Sequence, residues 1–319
     1  MGLFKKSNVS KDLINLVSAA DGGDKSAAIK IAELSRDGHV TVPEICEARI
    51  IIYEPAAKRG DKEARYWVGF SLQTLDPPAS FKWLVDLARE GDTRAMKALG
   101  SGFSVLAYYG EDEEKELYWY LEAAKLGDAE AQCDAGREYY IKGMSSHKDP
   151  EQRDKYFDLA KEWYQKAAKQ HYVQGVLGLS ELAIRLGDDC TNDVFKRHNF
   201  DFQSPAMQEE LKTAKEKAKE YFEKAAKFLY SVVDGELEDC VNEEAAKAFD
   251  MLGDMFSRNL LGDEPPDYNE AVRLYFFATM YDVRDNLISE KKMNDLIKRE
   301  SLVIAPEEFE AWKQEILGE

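Results

Sequence analysis

Few residues in this sequence have the types and spacing that catalysis requires. Ser289 and Lys292 form an SxxK spacing, in which a serine nucleophile lies one helical turn from a lysine, as in enzymes that recognise penicillins. The SDN and KTG sequences that accompany this spacing are absent, so a chance match is the better interpretation. No P-loop, GxGxxG, GxSxG, HExxH or EF-hand pattern is present either. We therefore expect no catalytic residues, and hydrolysis or regulation of an enzyme stays an alternative.

Residues that could bind a metal ion are also poorly arranged. The acidic segment 234–244 could gather calcium, but it lacks the glycine that shapes an EF-hand loop, so a solvated loop is the better interpretation. The four cysteines lie at least 50 residues apart, at Cys46, Cys133, Cys190 and Cys240. This spacing predicts neither a disulfide framework nor a zinc site. We expect no metal and no cofactor.

The charge of the chain limits its partners. Its 319 residues include 61 Asp and Glu against 43 Lys and Arg, which gives a net charge of −18. Such a surface repels phosphate, so we expect neither nucleic acid nor a membrane as partner. The same field would attract a basic protein, and neutralisation of a basic toxin or effector is a further alternative. No apolar run has the length of a signal peptide or a membrane span, which favours a cytoplasmic location.

The strongest pattern is an internal repeat in which a small residue, usually the second of two alanines, precedes Gly-Asp and a further alanine. Four segments share it: AADGGDKSA from Ala19, AAKRGDKEA from Ala56, LAREGDTRA from Leu87 and AAKLGDAEA from Ala123. Their central alanines are 37, 31 and 36 residues apart. Degenerate copies follow around Ala168, Ala226 and Ala278. The chain therefore contains about seven units, and the later ones carry insertions.

Further columns accompany the alanines. Five residues before the central alanine stand Trp83, Trp119, Trp163 and Tyr221, with Ile52 in the same column. Eleven and twelve residues after it comes a large and small pair, such as Leu99-Gly100 or Ala135-Gly136. We expect the aromatic residues to pack between repeats, and the small residues to let neighbouring helices approach closely.

Each unit is predicted to contain two helices. Apolar residues recur near the 3.6-residue period in 115–125 and again in 129–140. Between them Gly127 can end the first helix in a left-handed conformation, and Asp128 can cap the second. Further glycines are expected to mark the break that follows the second helix, at Gly38, Gly110, Gly143, Gly187 and Gly262.

Some segments depart from the repeat. Pro55 lies in a helix-interior column, so its helix should kink or begin late. Residues 188–205 are predicted to form an inserted loop, and residues 208–228 one long charged helix. After Pro306, the segment 307–317 is expected to cap the last hydrophobic face.

The pattern W-x-x-x-A-A-x-x-G-D-x-x-A is closest between Trp119 and Tyr139, and it resembles the Sel1-like repeat family, an α/α solenoid related to tetratricopeptide repeats. The resemblance implies an all-α, right-handed superhelical solenoid of about seven helix-turn-helix repeats with a C-terminal capping helix. We expect a single repeat domain over 1–319, with the best repeats in 12–187, degenerate repeats with insertions in 188–290, and the cap in 291–319. The family implies a protein-binding scaffold, usually without catalysis.

The resemblance also predicts a partner surface, because one helix of each pair lines the concave face of a tetratricopeptide solenoid. Matching the large and small pair and the aromatic column places these residues there: Tyr66, Phe70, Lys97, Arg137, Tyr140, Glu181, Arg185, Asp254 and Arg258. These columns accept charges of both signs, which favours exposure, although Tyr66 and Phe70 suit a core nearly as well. The leading hypothesis is a non-catalytic adaptor that binds a peptide or a protein, including a basic one, in this groove.

A reporter β-lactam tests the hydrolase alternative. Because SDN and KTG are absent, we expect no turnover by the wild-type protein. Turnover that disappears in Ser289→Ala would instead place hydrolysis ahead of the adaptor hypothesis.

Overall fold

The structure is a computed structural model, and it describes residues 9–107, 113–201, 203–234, 242–261, 267–281 and 288–317. Within these residues the chain forms fifteen α-helices and no strand. They are α1 (Lys11–Asp21), α2 (Lys25–Arg36), α3 (Val42–Ala57), α4 (Lys62–Leu75), α5 (Pro77–Arg89), α6 (Thr93–Ala107), α7 (Glu113–Lys125), α8 (Ala129–Ser145), α9 (Pro150–Ala168), α10 (Val173–Arg197), α11 (Pro205–Val233), α12 (Asn242–Ser257), α13 (Tyr268–Tyr281), α14 (Ile288–Arg299) and α15 (Pro306–Leu317). The predicted all-α architecture of helix-turn-helix repeats is confirmed.

The Gly-Asp turns explain where the helices end and begin. Gly127 has a φ of 92° and follows the end of α7. Oδ1 of Asp128 accepts a hydrogen bond from the backbone N–H of Ala131 at 2.9 Å, and so satisfies one of the amide groups that the first turn of α8 leaves unpaired. Asp61 caps α4 in the same way through the N–H of Ala64, at 2.8 Å. The turn predicted from the repeat is therefore present.

His171 occupies the position of the turn glycine between α9 and α10. Its φ is 60°, in the left-handed region, and its N–H donates to the carbonyl oxygen of Ala168 at 2.9 Å. The equivalent N–H of Gly127 donates to the carbonyl oxygen of Ala124 at 3.0 Å. The backbone of the turn is thus kept without glycine, at the steric cost that a side chain meets in this conformation.

The chain divides into two compact units, Met1–Ala131 and Gln132–Glu319. In the first unit, α3 to α6 each pack on the next helix in the chain, around a core that includes Val68, Leu72 and Leu84. In the second unit, α9 to α13 do the same, around a core that includes Leu177 and Leu229. The single repeat domain over 1–319 stays a prediction.

Glycines on one helix receive large side chains from the next repeat. A Cβ atom on Gly100 of α6 would lie 2.8 Å from the ring of Tyr120 on α7, and one on Gly136 of α8 would lie 2.7 Å from the ring of Tyr164 on α9. Gly253 of α12 meets the ring of Tyr275 on α13, also at 2.7 Å. Carbon atoms normally pack at about 3.5–4.0 Å, so only glycine fits these positions. The small residues of the repeat allow the close approach that we predicted.

The buried aromatic residues are not those of the tryptophan column. Trp119 and Trp163 are half-buried, whereas the residues that follow them, Tyr120 and Tyr164, are 3% and 2% exposed. Consecutive side chains on a helix point about 100° apart, so the two columns face different surroundings. Packing between repeats therefore depends mainly on the column one residue later than the one we predicted.

Two of the glycines that were predicted to mark the break after the second helix lie inside helices instead. Gly143 is part of α8 and faces the ring of Phe157, and Gly187 is part of α10 and faces the ring of Phe222. At both positions an added Cβ would lie 2.5 Å from ring carbons, so these glycines serve close packing. Gly38 does follow α2 with a φ of 73°, as predicted. The predictions for residues 110 and 262 lie outside the described residues.

Two further expectations about helix bounds are wrong. The helix that contains Pro55 does not begin late: α3 starts at Val42, where Thr41 and Glu44 form a capping box, and Pro55 falls in its last turn. The segment 188–205 is not a loop throughout, because α10 continues to Arg197. Apolar side chains continue at four-residue spacing into this segment, and the last of them, Val194, is buried.

Two other helices agree with their predictions. The long charged helix is α11, which begins three residues before the predicted start and ends at Val233. The capping helix is α15, where Phe309 and Trp312 lie 5.2 and 6.0 Å from the ring of Phe276 on α13. The last apolar face of the second unit is thus covered.

A double-mutant cycle tests the close contact between Gly136 and Tyr164. Gly→Ala at a free helix position stabilises by about 0.5–1 kcal/mol, but overpacking at Gly136 costs roughly 1–3 kcal/mol. We expect Gly136→Ala to lower the midpoint of thermal unfolding. In the background of Tyr164→Leu, which removes the ring, the same substitution should cost less. An equal cost in both backgrounds would show that the ring does not limit this position.

Candidate partner-binding site

Five of the predicted partner residues lie around one pocket in the second unit. The pocket has a volume of about 330 Å³ and is formed by α8, α10 and α12. The predicted residues that line it are Tyr140, Glu181, Arg185, Asp254 and Arg258. Each of these helices is the second helix of its helix-turn-helix repeat. The fold therefore brings together residues from three separate repeats. The matching of columns thus places distant residues at one site.

Apolar residues that the repeat columns do not single out complete this pocket. Met144, Ile184, Met251 and Met255 also line it, and Met144 is 37% exposed. Each lies three or four residues from a predicted residue on the same helix, so a search along the helical face would have found them. Methionine is unbranched and flexible, and it adapts to side chains of different shapes. The pocket therefore offers an adaptable apolar surface.

Ion pairs within the fold hold the charged rim of the pocket. Arg258 Nη2 lies 2.6 Å from Asp188 Oδ1, and Lys247 Nζ lies 2.7 Å from Glu181 Oε1. Arg185 forms an ion pair of 3.0 Å with Asp189, four residues further along α10. The rim thus presents charges of both signs in fixed positions. A ligand that replaces one of these pairs would have to provide a comparable charge.

Tyr140 and Arg137 lie on the same helix but differ in exposure. The ring of Tyr140 lies 5.8 Å from that of Phe157, and burial together with the charge of Glu181 raises the pKa of its hydroxyl. Tyr140 is therefore neutral at physiological pH and can act as a hydrogen-bond donor. Arg137 is exposed and pairs with Asp134 at 2.9 Å, and it does not line the pocket.

The three predicted residues of the first unit form a separate surface. Tyr66 and Phe70 of α4 stack with their ring centres 5.8 Å apart, and the guanidinium of Arg94 lies 4.6 Å from the centre of the Tyr66 ring. Phe70 is 38% exposed, and Tyr66 is half-buried, with its pKa raised by burial. Lys97 pairs with Asp128 at 3.1 Å. This unit therefore offers an aromatic surface beside cationic groups.

The SxxK residues lie in a structural cluster beside the pocket. Ser289 Oγ donates a hydrogen bond to Oδ1 of Asp250 at 2.7 Å. Lys292 Nζ donates to Oδ2 of Asp250 at 2.6 Å and to Oδ2 of Asp254 at 2.9 Å. The hydroxyl of Tyr275 donates to the other oxygen of Asp254 at 2.6 Å. These contacts join α12, α13 and α14.

The charge state of Lys292 does not suit a general base. Burial opposes its charge, but the hydrogen bonds to Asp250 and Asp254 outweigh that effect, and together they raise its pKa. A lysine must be neutral to accept a proton from a serine. An ammonium group that two carboxylates stabilise therefore cannot activate Ser289, which is itself only 8% exposed.

Neither a metal-ion site nor a membrane-spanning helix is found among the described residues. Across the described ranges, no group of three or more His, Cys, Asp or Glu side chains is arranged to hold a metal ion. The acidic segment 234–244 lies largely outside those ranges. Three cysteines, Cys46, Cys133 and Cys190, are free thiols, and Cys240 is not described. In the part of the chain that the structure covers, no helix has the length and apolarity that a bilayer crossing requires.

Solved structures similar to this chain include the following two. A Sel1 repeat protein from Oxalobacter formigenes matches with a TM-score of 0.41 and 20% identity, over 85% of this chain and 96% of that one. A protective antigen present in uropathogenic Escherichia coli strains, which displays an SLR fold, matches with a TM-score of 0.30 and 18% identity, over 95% of this chain and 71% of that one. No protein-family model and no curated protein matches the chain.

Replacement of Lys292 tests the structural role of its cluster. Lys292→Met leaves Asp250 and Asp254 without their cation, and we expect the free energy of unfolding to fall by about 1–2 kcal/mol near pH 8. The raised pKa means that this contribution is fully present below the ordinary lysine pKa of about 10.4 and is lost as pH rises through the folded-state value. The difference from wild type should therefore shrink in strong alkali.

Lys291→Met is the matched control, because its exposed neighbouring side chain forms no ion pair with the described residues. Thermal unfolding midpoints of the three proteins across pH provide the measurement. If Lys291→Met costs as much as Lys292→Met, or if the cost does not change with pH, the ion pairs are not its cause.

Proposed function

We propose that this chain of Sel1-like repeats is a non-catalytic scaffold that binds a peptide or a segment of a protein in the α8, α10 and α12 pocket. The observation that supports the proposal is the convergence of Tyr140, Glu181, Arg185, Asp254 and Arg258 on one open pocket. These residues come from columns that stacking of the repeats leaves free to vary. Interaction with proteins is also what the Sel1-like resemblance implies.

The character of the pocket suits a side chain of a protein better than a reacting substrate. Its volume of about 330 Å³ is at the lower end of the usual range for small-molecule sites. Its apolar part consists of Met144, Ile184 and two further methionines, which can adapt to an anchoring side chain. Each of its charged groups is held in an ion pair, and none is the free base that a nucleophilic mechanism requires. An apolar anchor flanked by charged residues is therefore the motif that we expect in the partner.

The rim gives no preference for a basic partner over an acidic one, because Glu181, Asp188 and Asp254 alternate with Arg185 and Arg258. The net charge of −18 would still increase the encounter rate with a basic protein. The cytoplasm is the proposed location, since the three described cysteines are free thiols, as is usual in reducing compartments.

Site-specific photo-crosslinking tests the pocket. A photoreactive amino acid replaces Met144, which is 37% exposed in the pocket, or Leu126, which is 60% exposed in the turn between α7 and α8. We expect a defined crosslinked partner from position 144 and not from position 126. Arg258→Glu reverses a rim charge that is 46% exposed, and should reduce the crosslinked product at least about fivefold without loss of helicity.

The same crosslinked species from both positions would indicate non-specific contact. A product from position 144 that Arg258→Glu leaves unchanged would exclude the pocket as the site. Phe70→Ala, in the first unit, provides the corresponding test of the aromatic surface: a partner that is retained in this variant does not depend on that surface.

A further inference from the structure

A second and larger cleft lies in the second unit, away from the pocket of the proposed function. Its volume is about 780 Å³, with α10 as its floor and α9 and α11 as its walls. The lining residues of α10 extend from Leu179 to Arg197, which corresponds to about 27 Å at 1.5 Å per residue. The cleft shares no lining residue with the pocket, because the two sites use different faces of α10.

The middle of the cleft is apolar. Phe157 and Leu182 are almost completely buried beneath it. Leu186, Cys190 and Phe228 are only partly buried, and their side chains line the cleft. A ligand that lies along α10 could therefore cover an apolar strip between the two walls.

Four of the five described carboxylates that line the cleft form ion pairs within the fold. Arg153 is 9% exposed and lies within 3.1 Å of both Asp154 and Asp193, and 3.8 Å from Asp189. Glu210, at one end of the cleft, forms an ion pair with Arg197 and a hydrogen bond of 2.6 Å with Nε2 of His198. These acidic groups therefore already have cationic partners, although Asp154, Asp189 and Asp193 share the one guanidinium of Arg153.

The lysines of the cleft are in the opposite situation. Lys161 on α9 and Lys217 and Lys224 on α11 are exposed, and none of them forms an ion pair with a described residue. Lys217 and Lys224 lie two turns apart on one face of α11. Asp158 is the one lining carboxylate in the described structure without such a pair. The α11 wall therefore carries two cations without ion pairs, of which Lys224 also lies 5.4 Å from the centre of the Tyr221 ring. On the α9 wall, Lys161 and Asp158 contribute one such charge of each sign.

We propose that this cleft binds an acidic amphipathic α-helix of a partner protein. The apolar strip fits the narrow apolar face of such a helix, and carboxylates on both sides of that face would reach Lys161 on one wall and Lys217 and Lys224 on the other. The trough is about as long as an 18-residue helix, and a helix laid between α9 and α11 would pack on three helices at once. Repulsion by the net charge would exclude acidic chains that do not fit the cleft.

A synthetic peptide tests this proposal with the full-length protein. The probe is a fluorescein-labelled 18-residue peptide with leucines at i, i+3, i+4 and i+7 spacing and glutamates beside them, and its binding is followed by fluorescence anisotropy. We expect saturable binding that weakens as salt is added, because the contacts with the lysines are exposed. A scrambled peptide of the same composition, which lacks the apolar face, should not bind.

Charge reversal locates the site. The double variant Lys217→Glu with Lys224→Glu should weaken binding about tenfold or more, because two attractions become repulsions. Lys227→Glu is the matched control, since it lies on the same helix, is exposed and does not line the cleft, and it should change the affinity less than about twofold. Circular dichroism checks that each variant keeps its helices.

Three outcomes would overturn the proposal: no binding of the amphipathic peptide, equal weakening by Lys227→Glu, or equal binding of the scrambled peptide. Binding of dodecanoate that depends on Lys217 and Lys224, without binding of the peptide, would also overturn it, because the occupant would then be a small anionic amphiphile. Arg258→Glu distinguishes the two sites, because Arg258 lines the α8, α10 and α12 pocket but not the cleft. This variant should leave binding of the peptide to the cleft unchanged, whether or not the pocket binds a partner.

Discussion

The structure depends on the contact between a glycine on one helix and a large side chain from the following repeat. The rings of Tyr120, Tyr164 and Tyr275 lie where a Cβ atom at Gly100, Gly136 or Gly253 would be. Each ring is at most 3% exposed, so it is buried by a neighbouring repeat rather than by a large central core. In repeat proteins, stability arises chiefly from such interfaces between neighbours. In α10, Ser180 stands in the column that other repeats fill with glycine. There a different glycine, Gly187, contacts the ring of Phe222 on the next helix.

This way of stacking leaves several faces of one helix available. On α10, the glycines contact Tyr164 and Phe222, residues 181–188 face the pocket with α8 and α12, and a third stripe forms the floor of the larger cleft. A helix of 25 residues can take part in all three because side chains three or four residues apart share a face. The continuation of α10 through 188–197 is essential to the cleft, since it lengthens the floor and supplies the carboxylates that pair with Arg153.

Ion pairs also decide what the charged residues can do. Ser289 and Lys292 have the spacing of a nucleophile and its base, but α12 places Asp250 and Asp254 beside them and stabilises the ammonium form of the lysine. The charged rim of the pocket is paired in a similar way, through contacts such as Arg258 with Asp188. Lys161, Lys217 and Lys224 of the cleft form no ion pair with a described residue, so they remain available to an acidic ligand.

The sequence alone determined the features that depend on local periodicity. Gly-Asp turns, helix pairs and the face that carries Tyr140, Glu181, Arg185, Asp254 and Arg258 follow from the repeat, because spacing along a helix fixes which side chains share a face. Met144 and Met251 could have been found by the same rule. Only the tertiary structure decided the rest: which aromatic column is buried, and that α9 and α11 leave a cleft between them. These features depend on distances between helices and on ion pairs up to 70 residues apart in the chain, which no local pattern encodes.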